Sequence, residues 1–320
     1  MEHIVTIEEN NSRADRVVKN ICGDLGYVFL QKIFRTNRVK INGKKARAGD
    51  RVQVGDAIEI YAPLAVTTGE SGITSCYSTN AQLLTQLQEM IIFEDDGMLA
   101  INKPNHLAVQ MGSRVSICVE TFINAYGHGQ CRLVHRLDKD TSGILLIAKT
   151  KLMARRLTQL FRENKIHKTY LAVVDGVVRK PGTIDVFLGK SFFGNEEKMC
   201  IVPDGQNPDA RRSTTHYKPL CTTGKYTLLE LKPITGRKHQ LRLHCSDMLR
   251  APIVGDVKYG WKTKTELELE RIGMTTMNFA GGFLFLHAHK LIIEDMGIRI
   301  IAPPPPHMSS AITFFHQKKH

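Results

Sequence analysis

The chain has 320 residues, of which 42% are hydrophobic and 23% charged, as in a globular protein of one large or two unequal domains. No apolar run is long enough to span a membrane, and the N-terminus lacks a signal-peptide core, so we expect a cytoplasmic protein without a membrane partner. The formal charge of +13 favours a polyanionic partner, chiefly nucleic acid. The seven cysteines include no C-x-x-C pair, which argues against a zinc ribbon.

The first 62 residues are typical of a small α/β module. Apolar residues at helical spacing predict a helix within 12–26, and a second short helix is expected within 28–37. The next stretch alternates in polarity around Asn42-Gly43, which predicts a hairpin. Seven cations with no acidic residue among them suit a phosphate backbone, although a merely solvated face is the alternative. They are Lys32, Arg35, Arg38, Lys40, Lys44, Lys45 and Arg47.

The amino-acid composition of the chain changes at residue 63 and again at residue 91. Residues 63–90 are rich in Thr, Ser and Gln and are predicted to be a linker that ends in a short helix. Residues 91–320 contain short β-rich runs, with helical stretches such as 151–165 between them. Because strands and helices do not alternate regularly, we predict an α+β domain with a mixed, mostly antiparallel sheet and flanking helices.

Two aspartates lie among cations directly before the apolar run "ILLIA". Asp140, with the Thr-Ser-Gly that follows it, is best explained as a turn. Asp138 differs because Arg136 and Lys139 flank it, and nearby cations favour the ionised carboxylate. We therefore predict that Asp138 is an ionised nucleophile or base at the mouth of a pocket.

Other catalytic patterns are absent from the sequence. It contains no phosphate-binding loop, no complete dinucleotide fingerprint and no zinc-deaminase signature. Two histidine pairs, His239 with His244 and His287 with His289, have the chemistry of metal ligands. Each pair lacks a third ligand nearby and lies among cations, so we predict no metal site.

The segment "HRLDKDTSGILLIAK" resembles the signature of the RluA-type pseudouridine synthases, H-R-L-D-x-x-T-S-G-L-L-x-x-A-K. Five further segments resemble motifs of that family: "INKPNHLAVQMG", "HKTYLAVVDG", "LKPITGRKHQLRLH", "PIVGDVKYG" and "LHAHKL". The basic N-terminal module resembles the S4-like RNA-binding domain of such enzymes, and "KIFRTNRVKINGKKA" is most similar to the RluC-like branch. One departure is His106, where the family usually has glycine.

The resemblance implies an S4-like domain at 1–62, a linker at 63–90 and a pseudouridine synthase fold at 91–320. It also implies that the protein isomerises uridines in large-subunit (23S) ribosomal RNA or its precursor. Such an isomerisation has no net redox change, so no cofactor is expected. We take a monomer as the default state.

The resemblance also assigns roles to individual residues. Asp138 is the catalytic aspartate, which attacks the sugar or the base, or abstracts a proton from the 2′ carbon. Arg237 is the arginine that pairs with it, and Tyr170 stacks on the target base. Arg136 assists base flipping, and Leu286 lines the uracil pocket.

Two other functions are compatible with parts of the sequence. A non-catalytic RNA-binding or ribosome-assembly protein would need only the basic module and the net charge. A metal-dependent nuclease would use Asp138 and Asp140, although the surrounding cations disfavour it.

Overall fold

The computed structural model describes residues 2–22, 33–35, 37–61, 83–111, 117–127, 130–193, 196–203, 209–261 and 282–317. The chain divides into two compact units. One comprises Met1–Thr79 with Gln110–Ser116, and the other comprises Asn80–Val109 with Ile117–His320. Among the described helices, none combines the length and apolar content needed to cross a membrane.

The N-terminal unit is a small α/β module. Its elements are β1 (Glu2–Ile4), α1 (Ala14–Cys22), β2 (Val39–Ile41), β3 (Lys44–Lys45) and β4 (Ala57–Ile60). The strands form an antiparallel sheet in the order β1-β4-β2-β3. The predicted helix and hairpin are both present, and the second helix is described only at 33–35.

The hairpin turn and the small core explain this arrangement. Asn42 and Gly43 have φ angles of 51° and 73°, the left-handed values that a tight two-residue hairpin turn requires. Val17 and Val18 of α1 are buried and pack in one cluster with Val39 and Ile58 of the sheet. The helical periodicity of the sequence thus corresponds to the apolar face of α1.

The larger unit contains eleven strands and four α-helices with assigned bounds in the described ranges. The strands are β5 (Ile91–Glu94), β6 (Met98–Lys103), β7 (Arg132–Leu133), β8 (Ser142–Ala148), β9 (Ile166–Asp175), β10 (Gly182–Phe193), β11 (Glu196–Val202), β12 (Arg211–Thr223), β13 (Tyr226–Pro233), β14 (Leu286–Ile293) and β15 (Ile298–Ile301). The helices are α2 (Val119–Tyr126), α3 (Lys151–Arg162), α4 (Gln240–Leu243) and α5 (Pro306–Gln317).

These strands form one sheet in the order β11-β10-β12-β13-β9-β14-β8-β6-β5, with β15 beside β14 and β7 beside β8. Every pair in the described part of this sheet is antiparallel except β14 with β8. The prediction of an α+β fold with a mixed, mostly antiparallel sheet is therefore confirmed.

Strand β8 is buried along its whole length because helices cover both of its faces. Ile144 and Leu146 pack in one cluster with Leu157 of α3. Leu145 and Ile147 point to the other face and pack with Phe122 of α2. This strand gives the loop that precedes it a rigid base.

The predicted linker overlaps a helical segment at 83–90. Its Leu83 and Leu87 are buried in the same cluster as Leu99 and Leu145, so this segment belongs to the larger unit. The proposed boundary at residue 62 stays a prediction, since 62–82 lie outside the described residues.

Candidate active site

Five residues singled out from the sequence line one pocket of the larger unit. The pocket forms where the loop before β8, the first half of β9, the loop after β13 and the start of β14 meet. The five are Arg136, Asp138, Tyr170, Arg237 and Leu286. The fold thus brings together side chains from distant parts of the sequence.

The loop that carries Asp138 is held by two side chains of the "INKPN" segment. Lys103 is fully buried, and its ammonium donates to the carbonyls of Lys139 (3.0 Å), Pro104 and Leu107 (both 2.8 Å). The Asn105 amide donates to the carbonyl of Asp140 at 2.6 Å. Burial lowers the pKa of Lys103 to about 7, although the charges of Asp140 and Asp138 oppose that shift.

His135 fixes the same loop against β8. Its Nε2 accepts a hydrogen bond from the backbone N–H of Leu146 at 2.7 Å, and its ring packs on Phe161 with centroids 4.7 Å apart. Burial, aided by the charge of Lys168, lowers the pKa of His135 to about 3. The imidazole is therefore neutral and acts as an acceptor that orients the loop.

The turn between Asp138 and β8 has little space. The N–H of Thr141 donates to the carbonyl of Asp138 at 3.1 Å. Gly143 has φ of 108°, and a Cβ there would lie 2.3 Å from the carbonyl oxygen of Ala288, so only glycine fits. The hydroxyl of Ser142 is 2.9 Å from Nδ1 of His287, which links the start of β8 to β14.

Burial and nearby charges have opposite effects on the carboxyl pKa of Asp138. Its side chain is 16% exposed, and burial raises the pKa of its carboxyl. Arg242 and Arg136 lower that pKa, but burial, which has the largest effect, and the charge of Asp140 together outweigh the cations. The neighbouring cations thus act in the direction that the sequence suggested, but burial has the larger effect, and the raised pKa makes the carboxylate a stronger base.

The arginine that acts on Asp138 most strongly is Arg242, not Arg237. Arg242 is buried on α4 and makes a bidentate pair with Asp256, with both N–O distances 2.7 Å. Its charge lowers the pKa of Asp138 more than that of any other group does. Arg237 is exposed, and its Nε donates to the carbonyl of Arg212 at 3.2 Å. Within the described residues, no ion pair joins Arg237 to Asp138, so the predicted pairing is wrong.

Tyr170 and Leu286 form the apolar wall of the pocket. Tyr170 is half-buried on β9, and burial, aided by the charge of Asp138, raises the pKa of its phenol. The phenol is therefore neutral at physiological pH. Leu286 is 2% exposed on β14. A flat aromatic side chain beside an aliphatic one suits a planar base.

The cations differ in their placement. Arg136 is exposed beside Asp138. The N-terminal cations Arg35, Arg38, Lys44 and Lys45 are also exposed, and Lys32 lies outside the described residues. On α3, four exposed cations follow the helix: Lys151, Arg155, Arg156 and Arg162.

The two histidine pairs have other partners. His239 Nδ1 lies 2.7 Å from the Tyr259 hydroxyl, and His244 Nε2 lies 3.0 Å from the Ser213 hydroxyl. His287 Nε2 and His289 Nδ1 both lie near the carbonyl of Ala302, at 3.2 and 3.0 Å. In the described part of the chain, no three His, Cys, Asp or Glu side chains cluster as metal ligands.

His106, the departure from the family pattern, adopts a backbone conformation that glycine accepts readily. Its φ is 64°, and its Nδ1 lies 3.2 Å from a carboxylate oxygen of Asp140. The ring thus contacts the turn that carries Asp138, at a position where glycine would offer no side chain.

Three cations near the site escaped the sequence reasoning: Lys103, Lys168 and Arg242. Each lies inside a motif quoted above: Lys168 is two residues from Tyr170 and Arg242 five from Arg237, while the motif of Lys103 contains no residue that was assigned a role. For Lys103 and Arg242, the residue spacing gave no sign that the side chains turn inward. A strict two-residue alternation along "HKTY" would have placed Lys168 on the same strand face as Tyr170.

The sequence matches the family model described as RNA pseudouridylate synthase over residues 97–247. This range contains Asp138, Tyr170, Arg237 and Arg242.

Curated relatives match over nearly the whole chain. Ribosomal large subunit pseudouridine synthase C of Rickettsia bellii is 38% identical, over 88% of this chain and 90% of that protein. The protein of the same name from Vibrio parahaemolyticus is 34% identical, over 93% of this chain and 92% of its own length.

A solved structure has the same fold. Human RNA Pseudouridylate Synthase Domain Containing 4 has a TM-score of 0.62 and 27% identity, over 75% of this chain and 98% of that one. The motifs, the mixed sheet and the curated relatives agree. The chain therefore belongs to the RluA-type pseudouridine synthase family and is an RNA pseudouridine synthase, an isomerase.

Proposed function

We propose that the protein converts specific uridines of large-subunit (23S) ribosomal RNA into pseudouridine, with Asp138 as the reacting carboxylate. The names of its curated relatives support the substrate class. The observation that carries the role of Asp138 is its position: a desolvated carboxylate on a pinned loop, in one pocket with Tyr170 and Leu286.

The reaction breaks the bond between N1 of uracil and C1′, turns the base, and joins C5 to C1′. Asp138 either bonds to the nucleotide or removes the 2′ proton, and both roles need an unprotonated carboxylate in a fixed position. Lys103, Asn105 and His135 fix the loop, while Arg242 opposes protonation. Burial makes the carboxylate more basic than an exposed aspartate.

The other pocket residues handle the base and the backbone. Tyr170 stacks on the uracil, and Leu286 completes the apolar wall. Arg136 enters the gap that the flipped uridine leaves, because it is exposed beside Asp138. Arg237, also exposed there, contacts a phosphate instead of Asp138.

We infer that the N-terminal unit is an S4-like RNA-binding module at 1–62, joined by a linker to the synthase domain at 91–320. Its exposed Arg35, Arg38, Lys44 and Lys45 suit a phosphate backbone, as do the exposed cations of α3. We expect a monomer that acts in the cytoplasm.

The test compares the wild type with Asp138→Asn, which removes the charge and keeps the shape. Asp140→Asn, three residues upstream of Gly143 in the same turn, is the matched control. We expect Asp138→Asn to lower the pseudouridine formed in large-subunit RNA by at least about 10³-fold, and the control by less than about tenfold. Mass spectrometry of chemically labelled pseudouridine measures the product. Equal product from the wild type and Asp138→Asn would contradict the role of Asp138, whereas a wild type that forms no pseudouridine would support a non-catalytic RNA-binding role.

A further inference from the structure

Lys168 is a pocket residue to which neither the motifs nor the proposed mechanism gives a role. It lies on β9, two residues before Tyr170, and side chains two apart on a strand share a face. Both side chains line the pocket, together with Thr235 and Gly236 of the opposite loop. A Cβ placed on Gly236 would lie 3.9 Å from the Lys168 ammonium, so the ammonium faces that loop.

The ammonium of Lys168 is partly removed from water, and no carboxylate of the described residues pairs with it to offset that cost. The side chain is half-buried, and burial lowers its pKa. Within the described residues, no carboxylate lies within ion-pair distance of it. Lys103, the other desolvated lysine of this region, donates to three carbonyls and thereby holds a loop. Lys168 does not hold a loop in this way, and we therefore expect its ammonium to bind a ligand.

The position of Lys168 within the pocket indicates which part of the nucleotide its ammonium contacts. Arg136, Arg237 and Lys238 are exposed at the pocket and can reach phosphates, which stay near solvent. Lys168 is less exposed and neighbours Tyr170, the residue proposed to stack on the uracil. An ammonium on the same strand face as that ring reaches the edge of the base rather than the backbone.

We propose, on the basis of the proposed function, that Lys168 is a catalytic residue that stabilises the negative charge of the uracil ring while the base is detached from the sugar. When the N1–C1′ bond breaks, both bonding electrons go to uracil. Its charge then spreads from N1 to O2 and O4. The ammonium donates a hydrogen bond to a ring oxygen and offsets this charge in a site with little water.

The rest of the step balances without a further reactant. C1′ regains its bond either from the Asp138 carboxylate or through loss of the 2′ proton to that carboxylate. After rotation, C5 bonds to C1′. In the first route the bond between Asp138 and C1′ breaks as this bond forms, and in the second the Asp138 carboxyl returns its proton to C2′. C5 then loses its proton, and N1 gains one. If Asp138 instead adds to the base, the ring again carries negative charge on its oxygens. The role of Lys168 is therefore the same in each route.

Lys168→Met tests the proposal because it keeps much of the side-chain volume and removes the charge. Lys290→Met is the matched control: Lys290 is also half-buried, lies opposite Thr169 on β14, and lines a different cavity. The substrates are two transcripts of a large-subunit RNA fragment that the wild type modifies, one with uridine and one with 5-fluorouridine. Fluorine stabilises the detached ring anion, so the fluorinated substrate needs the ammonium less.

We expect Lys168→Met to lower the single-turnover rate on uridine by about 100-fold, with the RNA Kd unchanged within about twofold. The loss should be clearly smaller on 5-fluorouridine, measured as its disappearance from nuclease digests. Lys290→Met should match the wild type on both substrates.

Three results would overturn the proposal while leaving the proposed function intact. A weaker Kd with an unchanged rate at saturating RNA would make Lys168 a phosphate contact. Equal losses on both substrates would make its role structural, and no loss at all would leave it without a role in the reaction. A wild type that forms no pseudouridine would contradict the proposed function itself.

Discussion

The loop that carries Asp138 and the hairpin of the N-terminal unit are both rich in cations, yet their charges have different surroundings. Near the loop, Lys103 and Lys168 are desolvated, and burial lowers the pKa of each. In the hairpin, Lys44 and Lys45 are exposed. Burial is thus the difference between a charge that can take part in chemistry and one that adds to a surface potential.

The same contrast separates two arginines of one motif. Arg237 and Arg242 both lie in "TGRKHQLRLH", but α4 turns Arg242 inward, where its side chain is 7% exposed beside a fully buried Asp256. Arg237 precedes the helix and stays in solvent. Variants of these two arginines therefore measure what burial of an arginine contributes to the free energy of unfolding.

The largest effect on stability is expected from Arg242→Gln. The substitution leaves the Asp256 carboxylate buried without its partner, which costs about 3–5 kcal/mol in the free energy of unfolding. Urea unfolding measures the change. Arg237→Gln, which loses one bond to a backbone carbonyl, should cost less than about 0.5 kcal/mol. Similar losses in the two variants would show that burial does not separate these arginines.

Local patterns in the sequence predicted much of the fold. The helix α1, the turn at Asn42-Gly43 and the apolar strand after Asp138 each depend on neighbours along the chain. The mixed sheet followed from the irregular order of β-rich runs. These features are predictable because periodicity and turn chemistry act over a few residues.

The electrostatics of the pocket could not be predicted in this way. The cations next to Asp138 in the sequence suggested a lowered pKa, but burial of the carboxyl in the folded protein outweighs them. The partner of Arg242, Asp256, lies in a different motif. Distance through space and exclusion of water decide such effects, and neither is visible in residue spacing.

An intermediate effect, confined to binding, is expected from neutralising the hairpin. Replacing Arg38, Lys44 and Lys45 by glutamine should weaken RNA binding at least about tenfold and reduce the salt slope of log K by about 2. The single-turnover rate at saturating RNA should not change. Fluorescence anisotropy at several salt concentrations measures the slope. A lower rate at saturation would show that these exposed charges also act in the chemical step.

The smallest effect is a shift in pH dependence on changing Arg136 to glutamine. Arg136 lowers the pKa of Asp138, although less than Arg242 does, so its removal should raise that pKa further. Because the reaction needs the unprotonated carboxylate, the acid limb of the single-turnover pH profile should move to higher pH.

The position of the limb, not the height of the profile, is the measurement, since Arg136 is also proposed to assist base flipping. The shift should be larger at low ionic strength, because Arg136 is exposed and salt screens its charge. Lys151→Gln, an exposed cation that does not line the pocket, should leave the limb in place. An acid limb that stays fixed in Arg136→Gln at low salt would mean that a group other than Asp138 controls it.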